Sequence, residues 1–141
     1  MNQFRKNRRR GAAAVEMALL APIFCTVAMG IFEIGRAEMV RSCLSDAARA
    51  GCRTGVKPGQ GNADIIADVN DILTNEGIPA GKATITILVS GASTDALKAQ
   101  GGIDSVSVQV SIPVSSVNWV ILRFLSGSKF ESETVAMLKQ G

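Results

Sequence analysis

The chain has 141 residues, 47% of them apolar, with 15 basic and 12 acidic side chains for a net charge of +3. It contains neither His nor Tyr and only three cysteines, Cys25, Cys43 and Cys52. That inventory excludes imidazole acid–base catalysis, Ser-His triads and His-ligated metals, and three scattered cysteines do not make a zinc site. No nucleophile–base pair and no metal cluster can be drawn, so the expectation is a non-enzyme that needs no cofactor and no metal.

The charge is unevenly placed. Residues 1–11 hold Arg5, Lys6, Arg8, Arg9 and Arg10 with no acid; without them ten basic residues face twelve acidic ones, a net −2. Nucleic-acid binding is therefore not expected. A basic tail directly before an apolar run acts as a positive-inside anchor. Residues 17–32 (MALLAPIFCTVAMGIF) carry no charge and span roughly 24 Å as a helix. Adding 12–15 and 34–35 completes a bilayer-length segment with Glu16 and Glu33 near its two rims. The orientation expected is N-in, C-out, with the C-terminal domain extracytoplasmic.

The helical pattern continues beyond the span. Ile34, Val40, Leu44, Ala47, Ala48 and Gly51 keep an apolar or small stripe, while Arg36, Glu38, Arg41, Asp46, Arg49 and Arg53 lie off it. One helix is expected over 12 to about 52, bent at Pro22 and stopped by Gly55 and Lys57-Pro58-Gly59. Cys25 reads as a small apolar residue. Cys43 and Cys52, nine apart, fall on opposite faces of a continuous helix and cannot bridge within it. A mutual disulfide requires that the helix end early; a bridge to another chain is the other option.

A single acid, Glu16, near the start of a membrane run calls for a functional explanation, because burying a lone charge is costly. The sequence RRGAAAVEMALLAPIF from Arg9, then FEIGRAEM from Phe32, then LSDAARAGCRTG from Leu44, carries a resemblance. Gly11, Ala12 and Glu16 resemble the class III leader of type IV pilins and pseudopilins. More narrowly, the block is similar to the TadE-like family, minor pseudopilins of the Tad (Flp pilus) system. Met17 departs from the Tyr that usually follows the Glu in major Flp pilins, which points to a minor subunit.

The resemblance implies cleavage between Gly11 and Ala12 by a prepilin peptidase. It implies that Glu16 faces the new terminus of a neighbouring subunit and sets helix register, an ammonium–carboxylate pair offsetting two otherwise costly charges. The implied partners are the major Flp pilin, other minor pseudopilins, the inner-membrane assembly platform and membrane lipid. Ala13, Ala14 and Ala18, with Pro22, would serve close helix packing. Two alternatives stay open: an uncleaved single-pass anchor carrying a binding module, and an ordinary signal peptide cut after Gly30.

Residues 55–61 (GVKPGQG) read as a hinge. Helix 63–76 follows, with Ile65, Ile66, Val69, Ile72 and Leu73 on one face, Asn62 as N-cap and Gly77 with Pro79 ending it. Asp64, Asp68 and Asp71 share a face that reads as solvated surface, without the loop spacing calcium needs. Strands are expected at 83–89 and 104–114, the second with Val106, Val108, Val110 and Ile112 inward. The connection 90–103 holds a short turn near 94–99. Residues 115–125 read as a short helix or irregular apolar segment, with Trp119 packed on the sheet or, as the alternative, set at the membrane interface. A third strand is expected at 130–138, its register open because Glu131 and Glu133 share a side with Val135 and Met137.

The fold class expected is α+β: a long N-terminal transmembrane, pilin-like helix followed by a small antiparallel sheet with one or two packed helices. The segments are 1–11 leader, 12–54 helix, 55–61 hinge and 62–141 extracytoplasmic domain.

Overall fold

A computed structural model describes residues 3–116 and 129–140. Helix α1 runs Gln3–Gly55, helix α2 Asn62–Asn75, and four strands follow: β1 Thr84–Val89, β2 Ser105–Pro113, β3 Lys129–Glu131 and β4 Val135–Leu138. The α+β architecture expected from the sequence is the one observed. Two compact units are resolved, Met1–Arg36 and Ala37–Gly141.

Helix α1 begins well before residue 12, because residues 3–10 contain no helix breaker and the single Gly11 costs only about 1 kcal/mol. It also continues as one element through Pro22. Proline removes the hydrogen bond to the carbonyl of Ala18, and the Thr26 hydroxyl donates to the Pro22 carbonyl at 2.8 Å.

In the second unit the core side of α1 is made by Val40, Leu44, Ala47, Ala48 and Cys52, all buried. Gly51 and Gly55 bring the helix close to its neighbours. A Cβ added at Gly51 would lie 2.7 Å from Val69 Cγ2 and 3.1 Å from Ile65 Cγ2; one at Gly55 would lie 2.7 Å from Ile65 Cδ1 and 2.9 Å from Val106 Cγ1. Helix α2 answers with Ile65, Val69 and Leu73, a four-residue repeat that is fully buried. Ile66 and Ile72, expected on the same face, are respectively exposed and partly buried.

The expected N-cap of α2 is corrected. Gly61, extended at φ −114°, holds that position, and the Asp64 carboxylate accepts from the Gly61 N–H at 2.8 Å. Asn62 is drawn away by a tertiary clip: its Oδ1 accepts from the Ala96 N–H at 2.9 Å, and its N–H donates to Asp95 Oδ1 at 3.1 Å. The other end of α2 closes as expected. Gly77 takes φ +71°, its N–H donates to the Thr74 carbonyl, and the Ile78 N–H donates to the Leu73 carbonyl, the two bonds of a Schellman motif.

Strand β2 is the centre of an antiparallel sheet, with β1 along one edge and both β3 and β4 along the other. Its inward residues Val106, Val108, Val110 and Ile112 are all fully buried, as their alternation predicts. The expected single strand at 130–138 is instead two. Ser111 faces Glu131 in the β2–β3 pairing, whereas Val108 faces Val135 in the β2–β4 pairing, so the register slips by one residue between them. Ser132 keeps the first register, donating its N–H to the Val110 carbonyl and accepting the Val110 N–H on Oγ. Glu133 and Thr134 therefore oppose Gln109 alone, which is a β-bulge. The bulge settles the open register: Glu131 and Glu133 stay exposed, while Val135 and Met137 turn towards the core.

The connection 90–103 carries its turn at Ala96–Lys98, inside the expected range. Val114–Ser116 form a 3-10 turn, and the remainder of the segment expected at 115–125, with Trp119, lies outside the described residues.

Candidate assembly site on the N-terminal helix

The residues singled out for processing and assembly all lie on the N-terminal part of α1. Gly11 is exposed, and a Cβ added there would meet nothing within 4 Å. Ala12, the other residue of the expected cut, lies within the same helix. Ala13, Ala14, Glu16, Ala18 and Pro22 are exposed. Ala14, Ala18 and Pro22 recur every four residues along one side of α1, and Glu16 lies on the opposite side.

Large apolar side chains ring this part of the helix. Val15, Met17, Leu19, Phe24, Ile31 and Phe32 are each more than 60% exposed, which water alone does not favour. Among the described residues one helix is long and apolar enough to cross a membrane, by length and composition, and it is this one, from Ala13.

Cys43 and Cys52 stand differently from the pairing left open by the sequence. Both are on the unbroken α1, nine residues and so roughly 13 Å apart along its axis, too far for a disulfide. Both are free thiols. Cys52 is fully buried and its thiol donates to the Val106 carbonyl at 3.0 Å. Burial pushes that thiol's pKa up. Cys43 is half-buried; burial pushes its thiol up as well, and the Glu76 carboxylate, 3.7 Å away, adds to the effect. Its reactivity as a thiolate is thereby reduced.

The acidic face of α2 is used locally. Asp64 caps the helix, and Asp68 accepts a hydrogen bond from the Thr54 hydroxyl of α1. Among the described residues no cluster of three or more His, Cys, Asp or Glu side chains could hold a metal ion.

Sequence reasoning passed over Lys139. It is 5% exposed, and its ammonium donates to the carbonyls of Gly55 at 2.8 Å, Lys57 at 3.0 Å and Ala96 at 3.1 Å. A signal was present: Val135, Met137 and Lys139 share the inward parity of β4. The cation satisfies carbonyls at the end of α1, where the helix dipole also favours positive charge.

The motif LSDAARAGCRTG thus has a visible structural role. Leu44, Ala47, Ala48, Gly51, Cys52 and Gly55 are its members that face α2 and β2. No curated protein and no solved structure matches the chain. A family model does match, that of the TadE-like proteins: it covers residues 11–53, from Gly11 through the Ala-Ala-Arg-x-Gly-x-Arg segment that ends at Arg53, and agrees with the resemblance borne by those residues.

Proposed function

We propose that the chain is a minor pseudopilin that takes part in the assembly or initiation of a Tad (Flp) pilus. The observation that carries the reading is the coincidence of the TadE-like match at 11–53 with a helix whose apolar stretch, residues 17–32, is exposed on all sides. Such a surface needs either lipid or other helices around it, and a pilus subunit meets both in turn. The small residues Ala13, Ala14 and Ala18 allow the close helix approach that packing in an apolar medium requires.

In this reading the basic leader stays in the cytoplasm, α1 spans the bacterial inner membrane, and the second unit is extracytoplasmic. A prepilin peptidase cuts between Gly11 and Ala12. Glycine suits the cut because it is the weakest helix former of the segment and leaves the scissile backbone uncovered. The α-amino group released on Ala12 then pairs with Glu16 of a neighbouring subunit, which fixes the axial register of the two helices. The major Flp pilin, other minor pseudopilins and the inner-membrane platform are the partners.

Intact-mass analysis of the membrane-extracted protein, with and without a co-expressed prepilin peptidase, tests the reading. Loss of residues 1–11 only with the peptidase is expected, and Gly11→Leu should block it. A product beginning at Ile31 identifies an ordinary signal peptide, and an untouched N-terminus identifies a plain anchor; either result ends the pseudopilin assignment.

A further inference from the structure

Between α1 and the bulged edge of the sheet runs a groove of about 560 Å³ whose helix wall carries two arginines with one acid, Glu38, and whose strand wall is acidic. On the helix wall Arg41 and Arg49 lie eight residues, and so about 12 Å, apart on one flank. On the strand wall Glu131 and Glu133 stand on either side of the buried Ser132. Alternation about the inward Ser132 keeps both glutamates outward, and the bulge at Glu133–Thr134 then lets Val135 and Met137 turn inward. Bulges re-aim side chains at sheet edges in this way.

Among the described residues, each arginine's ion pair is with an acid three positions away on its own helix, Arg41 with Glu38 at 3.5 Å and Arg49 with Asp46 at 3.3 Å. These pairs are half or more exposed and contribute little to stability. The walls do not close on each other. Charges held apart across a groove suit a segment that brings both signs with it. The chain itself has one: Asp46 and Arg53 are exposed, seven residues and so roughly 10 Å apart, on the flank of α1 adjoining the groove.

We propose that the groove receives the Asp46–Arg53 flank of α1 from a second copy of this chain, Asp46 approaching Arg41 and Arg49, and Arg53 approaching Glu131 and Glu133. Two different surfaces meet, so the contact is head-to-tail and can propagate from copy to copy. Exposed charges of this kind set register and partner choice more than affinity. The proposal rests on the assembly reading for its biological setting and on the groove alone for its chemistry.

Self-association of the full-length, unprocessed chain in neutral detergent, followed by sedimentation equilibrium, tests it without any cleavage or pilus formation. Arg41→Glu/Arg49→Glu makes both walls acidic, and Asp46→Arg makes the incoming flank wholly basic. Each variant by itself should associate about tenfold more weakly than the parent, and an equimolar mixture should recover most of the loss, because an all-acidic groove then meets an all-basic flank. Circular dichroism melts check that the exposed substitutions leave the fold intact. Unchanged association in either variant, or a mixture that fails to recover, overturns the proposal, including the cases where association rests on the apolar helix alone or where the groove takes a different protein. Leader cleavage is scored separately by mass, so failure of the pseudopilin reading is distinguishable.

Discussion

The Lys139 ammonium donates to the Gly55 carbonyl oxygen at 2.8 Å, joining the residue after β4 to the last residue of α1 across 84 positions of sequence. The same terminus is held by three further backbone bonds: Lys139 N–H to Asp104, Gly102 N–H to Lys139, and Gln140 N–H to Val56. The end of the long helix is therefore set by the far end of the chain. Lys139→Met keeps most of the side chain's volume and removes all three ammonium bonds, leaving carbonyls without donors. It should lower unfolding free energy by about 2 kcal/mol, read from urea titration of the full chain in detergent. A loss within error of zero would mean that water replaces the ammonium without cost.

Close helix contact gives a second expectation. Gly51→Ala places a methyl 2.7 Å from Val69 and 3.1 Å from Ile65. Overpacking costs about 1–3 kcal/mol, against a gain of about 1 kcal/mol from the better helix former. The net result should be a destabilisation of about 1 kcal/mol, seen as a lower Tm. Gly35→Ala, where nothing lies within 4 Å, should leave the Tm of the second unit unchanged.

Thiol chemistry separates the cysteines of that unit. Cys52 should resist maleimide until the protein is unfolded, and Cys43 should react slowly. Both folded pKa values are raised, so the folded state keeps these protons longer than the unfolded chain does. Their stabilising contribution is complete below the unfolded value of about 8.5 and declines as pH rises from there towards the folded values. Stability should thus fall as pH rises above about 8.5, and less so in Cys43→Ala/Cys52→Ala.

On the acid side the sign is opposite. Asp95 accepts from the N–H groups of Leu97 and Asn62, and Asp104 from the Gln100 N–H and the Ser90 hydroxyl; these bonds hold both carboxyls below their usual range. Their contribution is present above the unfolded value of about 3.9 and is lost as pH falls through the folded values. Asp95→Asn/Asp104→Asn keeps acceptor oxygens without a titration. Its stability should therefore fall less steeply below about pH 4 than that of the parent.

The bulge holds one residue more than the ladder needs, since Glu133 and Thr134 share Gln109. Deleting Thr134 leaves Glu133 opposite Gln109 and Val135 still opposite Val108, so every side chain of β4 keeps its face. That variant should unfold cooperatively, with a Tm within about 4 °C of the parent. Deleting Glu133 as well brings Val135 opposite Gln109 and turns Val135 and Met137 outward. The double deletion should lose the cooperative melt. Equal damage from both deletions would show that the fold requires the bulge itself and not merely the register beyond it.

What periodicity carries, the sequence determined by itself. The apolar run, the stripe through Leu44, Ala47, Ala48 and Gly51, the repeat Ile65–Val69–Leu73 and the alternation of β2 each encode an element and its buried side, because 3.6- and two-residue periods are local properties. The block from Arg9 to Gly55 also carried the family resemblance. Tertiary structure decided the rest. Asn62 could not cap its helix because Ala96 and Asp95, more than thirty residues away, claimed its polar groups. The last strand divided because Ser132 bonds to Val110, and only the register on β2 reveals the extra residue. Lys139 became a buried cap because three carbonyls from two distant segments converge on it. Hydrogen-bond partners chosen across the fold leave no periodic trace in the chain, and that is why these features had to be seen in space.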